Sequence, residues 1–275
     1  PFFPRILTGQ GERADAVAAS GCNVVFVQDY ENSRVTGPLR KQGIWITATP
    51  PFAPGVDGEP LDSDDANLLP FQADTTPVLF WTLGTRMSPD VRPRLASWTN
   101  QVRNADRKFG KRPIAADVIE NERTCSRHVD MLGLSRHPIH SNCSMSDYRD
   151  SIIQRRDRAR PDSFIWTWVQ TEPAPTLVDL ARKLESPPIV EPEQIRMQVY
   201  SALSAGCRGL GYWTTTPLDH DSPAARERFL AITQLNFELD LFEPWITSGT
   251  SPQLLPFQVD PSLAETQINA KNAAI

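Results

Sequence analysis

The chain is poor in the residues from which metal and redox sites are built. It holds 4 Cys and 4 His in 275 residues. Cys22, Cys125, Cys143 and Cys207 show no Cys-x-x-Cys spacing, so neither a zinc ribbon nor a redox pair is encoded. Free buried thiols are the expectation, since a non-bridged cysteine packs as a small hydrophobe. No apolar run approaches the roughly 20 residues that cross a bilayer. Basic charge is not in excess either: 28 Lys and Arg stand against 33 Asp and Glu, a net charge of −5. That balance argues against a nucleic-acid partner, which calls for a basic face to displace counterions. The Gly-x-Ser-x-Gly elbow of serine hydrolases is missing. His137 and His140 lie three apart, but no His-x-His opens the chain, so a barrel-type metal centre is not expected. Neither a cofactor nor a metal is expected from these residues.

What is present is globular and rich in proline. Hydrophobic residues make up 40% and charged residues 22%, which sets the chain apart from disordered and fibrous sequences. Its 25 prolines are nearly twice the average share of about 5%, and they call for long loops. The opening Pro1-Phe2-Phe3-Pro4 reads as the start of a piece excised from a longer protein. Residues 250–275 read as a tail that leads toward a further domain.

Between these ends, apolar runs alternate with segments of helical period. Strands are expected at residues 2–7, 23–28, 44–48, 78–83, 113–119, 131–135, 164–170 and 208–213. Helices are expected at 13–20, 34–42, 91–109, 148–158 and 192–205, and from 222 through 242. The recurring unit is helix, glycine, one or two residues, apolar run, with Gly21, Gly43, Gly110 and Gly206 as the stops. Eight strands with helix-length connections predict a (β/α)8 TIM barrel over residues 1–249. An open doubly wound sheet is the second possibility, but Thr8-Gly9-Gln10-Gly11-Glu12 lacks the third glycine of a phosphate turn. The stretch 50–77 is too long for an ordinary connection and is expected to form a lip over the mouth, with 64–69 as its one helical candidate.

Barrel chemistry sits at the C-terminal strand ends. There the sequence offers Arg86 after strand four, Asp117 on strand five and His137 after strand six. Glu172 follows strand seven, and Tyr212 and Trp213 close strand eight. Trp168 lies on strand seven itself. Flat aromatic faces suit the apolar faces of sugar rings, and carboxylates with arginine hold hydroxyls.

Several of these segments resemble the catalytic barrel of the clan A retaining glycoside hydrolases, the group of β-galactosidases and cellulases. Phe2-Phe3-Pro4-Arg5 and Asn23-Val24-Val25 resemble its first two strands. Phe164-Ile165-Trp166-Thr167-Trp168-Val169-Gln170-Thr171-Glu172-Pro173 resembles its seventh, which ends in the nucleophilic glutamate. Gly211-Tyr212-Trp213 resembles the eighth, whose aromatic floors the sugar subsite. The sequence departs from the family at strand four, where Thr85-Arg86 stands in place of the Asn-Glu acid/base pair.

The resemblance implies carbohydrate as partner, an extracytoplasmic setting, and Glu172 at the nucleophile position. Arginine stays charged and cannot serve as acid/base, so Asp117 is the candidate partner carboxylate. Two forms stay open. One is a glycosidase using Glu172 and Asp117. The other is a binding barrel without catalysis, in which Trp213, Trp168, Arg86, His137 and Tyr212 contact sugar. Strand alternation carried past strand seven puts Glu172 inside the mouth beside Trp213. An ion pair between Arg86 and Glu172 is the geometry that distinguishes binding from turnover. A disulfide between Cys125 and Cys143 is a further expectation, from their adjacent loops.

Overall fold

The computed structural model describes residues 2–51, 71, 78–89, 92–181 and 188–248. Eight parallel strands close into a barrel in chain order, with β1 hydrogen-bonded to both β2 and β8. The strands are β1 (Arg5–Thr8), β2 (Val24–Val27), β3 (Trp45–Ala48), β4 (Val78–Thr82), β5 (Ile114–Asp117), β6 (Met131–Gly133), β7 (Phe164–Gln170) and β8 (Gly209–Trp213). Around them lie α1 (Ala14–Ala19), α2 (Ser33–Lys41), α3 (Arg92–Asp106), α4 (Glu122–Cys125), α5 (Met145–Arg158), α6 (Pro175–Ala181), α7 (Pro192–Ser204) and α8 (Pro223–Ser248). The fold is a (β/α)8 TIM barrel, and its closure excludes the open doubly wound sheet.

Alternation along the strands sorts the core into two layers. Ile6, Val24, Phe80, Ala115, Met131, Trp166 and Trp168 form one buried cluster, the filling of the barrel. Leu7, Val25, Ile46, Ile165, Val169, Leu210 and Tyr212 belong to the other, between the strands and the helices. Trp166 and Trp168 therefore fill the barrel, whereas Trp81 packs outward, edge-on to Tyr30 at 5.2 Å. The inner cluster needs a small residue opposite its largest side chain. A Cβ on Gly211 would collide with the Trp168 ring, so the glycine makes the room that the indole fills.

Gly21 (φ 75°) and Gly206 (φ 90°) take the left-handed backbone just past α1 and α7, as the helix–glycine–strand pattern predicts. Pro192 opens α7, and Ser144 opens α5 with a capping box to Asp147. Two short helices, α4 and α6, are absent from the periodicity, because four and seven residues are too few to show one. The expected lip at 50–77, its helical candidate at 64–69 and the tail at 250–275 lie outside the described residues, apart from 50, 51 and Phe71, which stacks on Trp81. The expected disulfide is corrected: none of the four cysteines is bridged to another. Cys125 ends α4 and turns into the helix-side core, whereas Cys143 is half-buried beside Ser144.

Candidate functional site

A column of rings rises along the barrel to its mouth. Trp166 and Trp168 meet edge to face at 5.2 Å and Trp168 and Trp213 at 5.7 Å, and the His137 ring lies tilted to Trp213 at 6.0 Å. The lower two are 1% exposed, while Trp213 and His137 are only half-buried. Trp168 therefore supports Trp213 from below and is not itself open to a ligand. Burial holds the His137 imidazole down to about 4, and the nearby Arg86 charge pushes the same way. His137 is thus a neutral hydrogen-bonding group at physiological pH. The loop carrying it is fixed by Gln170, whose Oε1 accepts the Ile139 N–H at 3.0 Å. Gln198 of α7 in turn clamps Gln170, accepting its N–H at 3.0 Å and donating to its carbonyl at 2.9 Å.

Glu172 is engaged by the protein rather than presented to the mouth. One carboxylate oxygen pairs with the Arg228 guanidinium of α8. The other accepts the Thr215 N–H and hydroxyl, both at 2.5 Å. Arg228 also donates to the Thr216 carbonyl at 3.1 Å. Burial pulls the Arg228 guanidinium below its usual range, and the Glu172 charge opposes that. The alternation that points Glu172 inward ends with β7 at Gln170. Beyond it the backbone leaves extended geometry, so side-chain parity no longer applies, and Glu172 turns to the α8 side.

Asp117 is fully buried at the end of β5. Its carboxylate accepts the Arg86 N–H at 3.1 Å and the Ser135 N–H at 3.0 Å. Burial raises its pKa, and the two backbone donors work against that. Arg86 has a left-handed backbone (φ 51°), an uncommon state for a non-glycine residue. Asp117 holds that turn by its side chain, and its carbonyl accepts the Met87 N–H at 2.8 Å. The guanidinium of Arg86 is exposed.

Of the residues picked from the sequence, the structure brings Trp213 and His137 together at the mouth, with Arg86 acting electrostatically on His137. Tyr212 is a correction. It is fully buried on the helix side and donates its hydroxyl to Asn236 of α8 at 2.7 Å. Neighbours on a strand face opposite ways, so Tyr212 and Trp213 cannot both line the mouth. The arginine that meets Glu172 is Arg228, not Arg86. Arg228, Gln198 and Thr215 were missed by motif reading. Arg228 and Gln198 leave a trace in sequence, because each interrupts the buried stripe of an amphipathic helix: Ala225, Arg228, Ile232, Leu235 in α8 and Ile195, Gln198, Val199, Ala202 in α7. Among the described residues, no group of three or more His, Cys, Asp or Glu is placed to hold a metal, and no helix is long and apolar enough to cross a membrane.

Neither family models nor curated proteins gave a match to this chain. Solved structures did, and those of glycoside hydrolases share its barrel. A β-D-glucuronidase from Dictyoglomus thermophilum superposes with a TM-score of 0.57 at 12% identity, covering 87% of this chain and 51% of its own. A β-galactosidase from the psychrophilic Marinomonas ef1 gives 0.54 at 11% identity, covering 90% and 62%. A chitinase from Chromobacterium violaceum gives 0.52 at 11% identity, covering 84% and 98%. The chain thus spans less than two thirds of the glucuronidase and the galactosidase. At this identity the likeness shows the fold alone, a (β/α)8 barrel.

Proposed function

We propose that this barrel binds carbohydrate at its mouth without hydrolysing it. The observation that carries the reading is the state of the two candidate carboxylates. Glu172 has both oxygens committed to Arg228 and Thr215, and Asp117 is fully buried under backbone donors. A retaining mechanism requires two carboxyl groups about 5–5.5 Å apart that can reach the sugar, one of them free to attack. Of the described residues picked from the sequence, those left open at the mouth are Trp213, His137 as a neutral imidazole, and Arg86. An indole face takes the apolar face of a pyranose, and the other two hydrogen-bond its hydroxyls. Glycosidase-type neighbours and the strand-seven and strand-eight motifs support a sugar as the ligand class. An extracytoplasmic setting goes with this reading and is checked by fractionating the source cells.

The test pairs turnover with binding. Aryl glycosides and a panel of polysaccharides are offered to the protein, with release of aglycone and reducing ends followed beside calorimetric binding. Binding that Trp213→Ala weakens by roughly ten-fold or more, with no turnover, is the expected result. Turnover of any of these substrates by the unaltered protein would overturn it in favour of a working glycosidase.

A further inference from the structure

A groove of about 910 Å³ opens on the outer flank, away from the ring column. It lies between the β5–β6 connection and the last turn of α5 with the segment that follows. That connection carries only the four-residue α4, so this part of the wall has a single helical turn as its cover. Arg155 of α5 braces the floor, donating to Glu122 and to the Val118 carbonyl, both at 2.5 Å.

Four further guanidiniums line the groove: Arg123, Arg127, Arg158 and Arg160. All four residues are exposed, and none forms an ion pair among the described residues. Asp157, also at the groove, is taken up by Arg156 at 2.9 Å. In a chain of net charge −5, such a concentration of unpaired positive charge is local. We infer that this groove is a second binding site, one that takes an acidic polysaccharide bearing carboxylate groups.

Guanidinium forks bind carboxylates by paired hydrogen bonds. The rest of the lining chooses among polyanions. Glu120 is exposed and unpaired there, and Asn121 makes no capping bond with its side chain. Both can hydrogen-bond sugar hydroxyls. Among the described residues no aromatic side chain lines the groove, so unpaired bases find no platform there on which to stack. The site goes beyond the mouth reading and stands or falls separately from it.

Calorimetry on the whole chain with polygalacturonate, neutral dextran and oligo(dT) tests the inference at about 50 mM and about 300 mM salt, where screening differs strongly. Polygalacturonate should bind, and Arg123→Gln/Arg127→Gln/Arg160→Gln should weaken it roughly ten-fold or more. Higher salt should weaken it as well, and Trp213→Ala should leave it unchanged. Equal binding by the triple variant, equal binding of dextran, or no binding by the wild type would overturn the assignment. Tighter binding of oligo(dT), lost in the same variant, would replace the glycan by a nucleic acid. Failure of the mouth reading would show itself differently, as the lack of any neutral glycan whose binding Trp213→Ala weakens, with polygalacturonate still held by the groove.

Discussion

The wall built from β7, β8, α7 and α8 satisfies its strand ends with side chains from the helices, while the wall of β5, β6 and α4 closes Asp117 with backbone donors and turns its arginines to solvent. Along the first, β7 and β8 stay in register from Trp166–Gly209 to Gln170–Trp213. Gln198 and Arg228 reach in from the helices to satisfy the chain where β7 ends. Along the second, β5 and β6 run together only from Ala115–Met131 to Asp117–Gly133, under one helical turn. Its arginines face water. The same fold thus builds an internally ion-paired rim on one side and an open charged flank on the other.

The largest way to break this comparison is to remove one half of the rim's ion pair. Glu172→Gln should leave Arg228 buried without its counter-charge and cost about 3–5 kcal/mol by denaturant unfolding. Adding Arg228→Met to the same chain should restore most of that loss. A single-variant loss below about 1 kcal/mol, the scale of an exposed pair, would show that this ion pair does not hold the rim.

Next in size is Gly211→Ala, whose new Cβ runs into the Trp168 ring. Overpacking of this kind costs about 1–3 kcal/mol, and the near-ultraviolet circular dichroism of the tryptophan column should change with it. An unaltered spectrum and midpoint would mean that the column can shift freely.

Titration of His137 supplies a third test, with a definite sign. Its folded value of about 4 lies below the unfolded 6.5. The unfolded chain therefore takes the proton first, and the contribution is full above pH 6.5 and lost as pH falls toward about 4. His137→Gln should flatten that part of the stability profile. In nuclear magnetic resonance spectra the His137 imidazole should titrate near 4; a midpoint near 6.5 would place the ring in open solvent.

The smallest effect belongs to the flank. Arg123→Gln/Arg127→Gln/Arg160→Gln should change unfolding by no more than about 0.5 kcal/mol, as for surface positions without partners. A larger loss would mean that these arginines hold the wall together, which would remove the contrast between the two sides.

Much of the barrel was legible because each of its parts leaves a local pattern. The alternation of Phe164-Ile165-Trp166-Thr167-Trp168-Val169-Gln170 marks a strand with two faces, and its bounds match β7. Gly21 and Gly206 mark helix ends because few other residues tolerate their backbone. The mouth was legible in part. Trp213 follows from its place at the end of β8, and the same alternation already sets Tyr212 on the opposite face. Arg86 in place of the family's acid/base glutamate was plain from the motif alone.

By itself, then, the sequence determined the run of strands and helices, the two faces of each strand and the ring that stands at the mouth, since these depend on neighbours a few residues apart. Only the tertiary structure decided what Glu172 does. Its partners, Thr215 and Arg228, come from the β8–α8 connection and from α8 itself, distant in the chain and brought near by barrel closure. Side-chain parity lapses where β7 ends, so no local rule chooses between the mouth and the helix layer. The choice falls to the buried charge of Arg228, which requires a counter-ion in reach once α8 has packed.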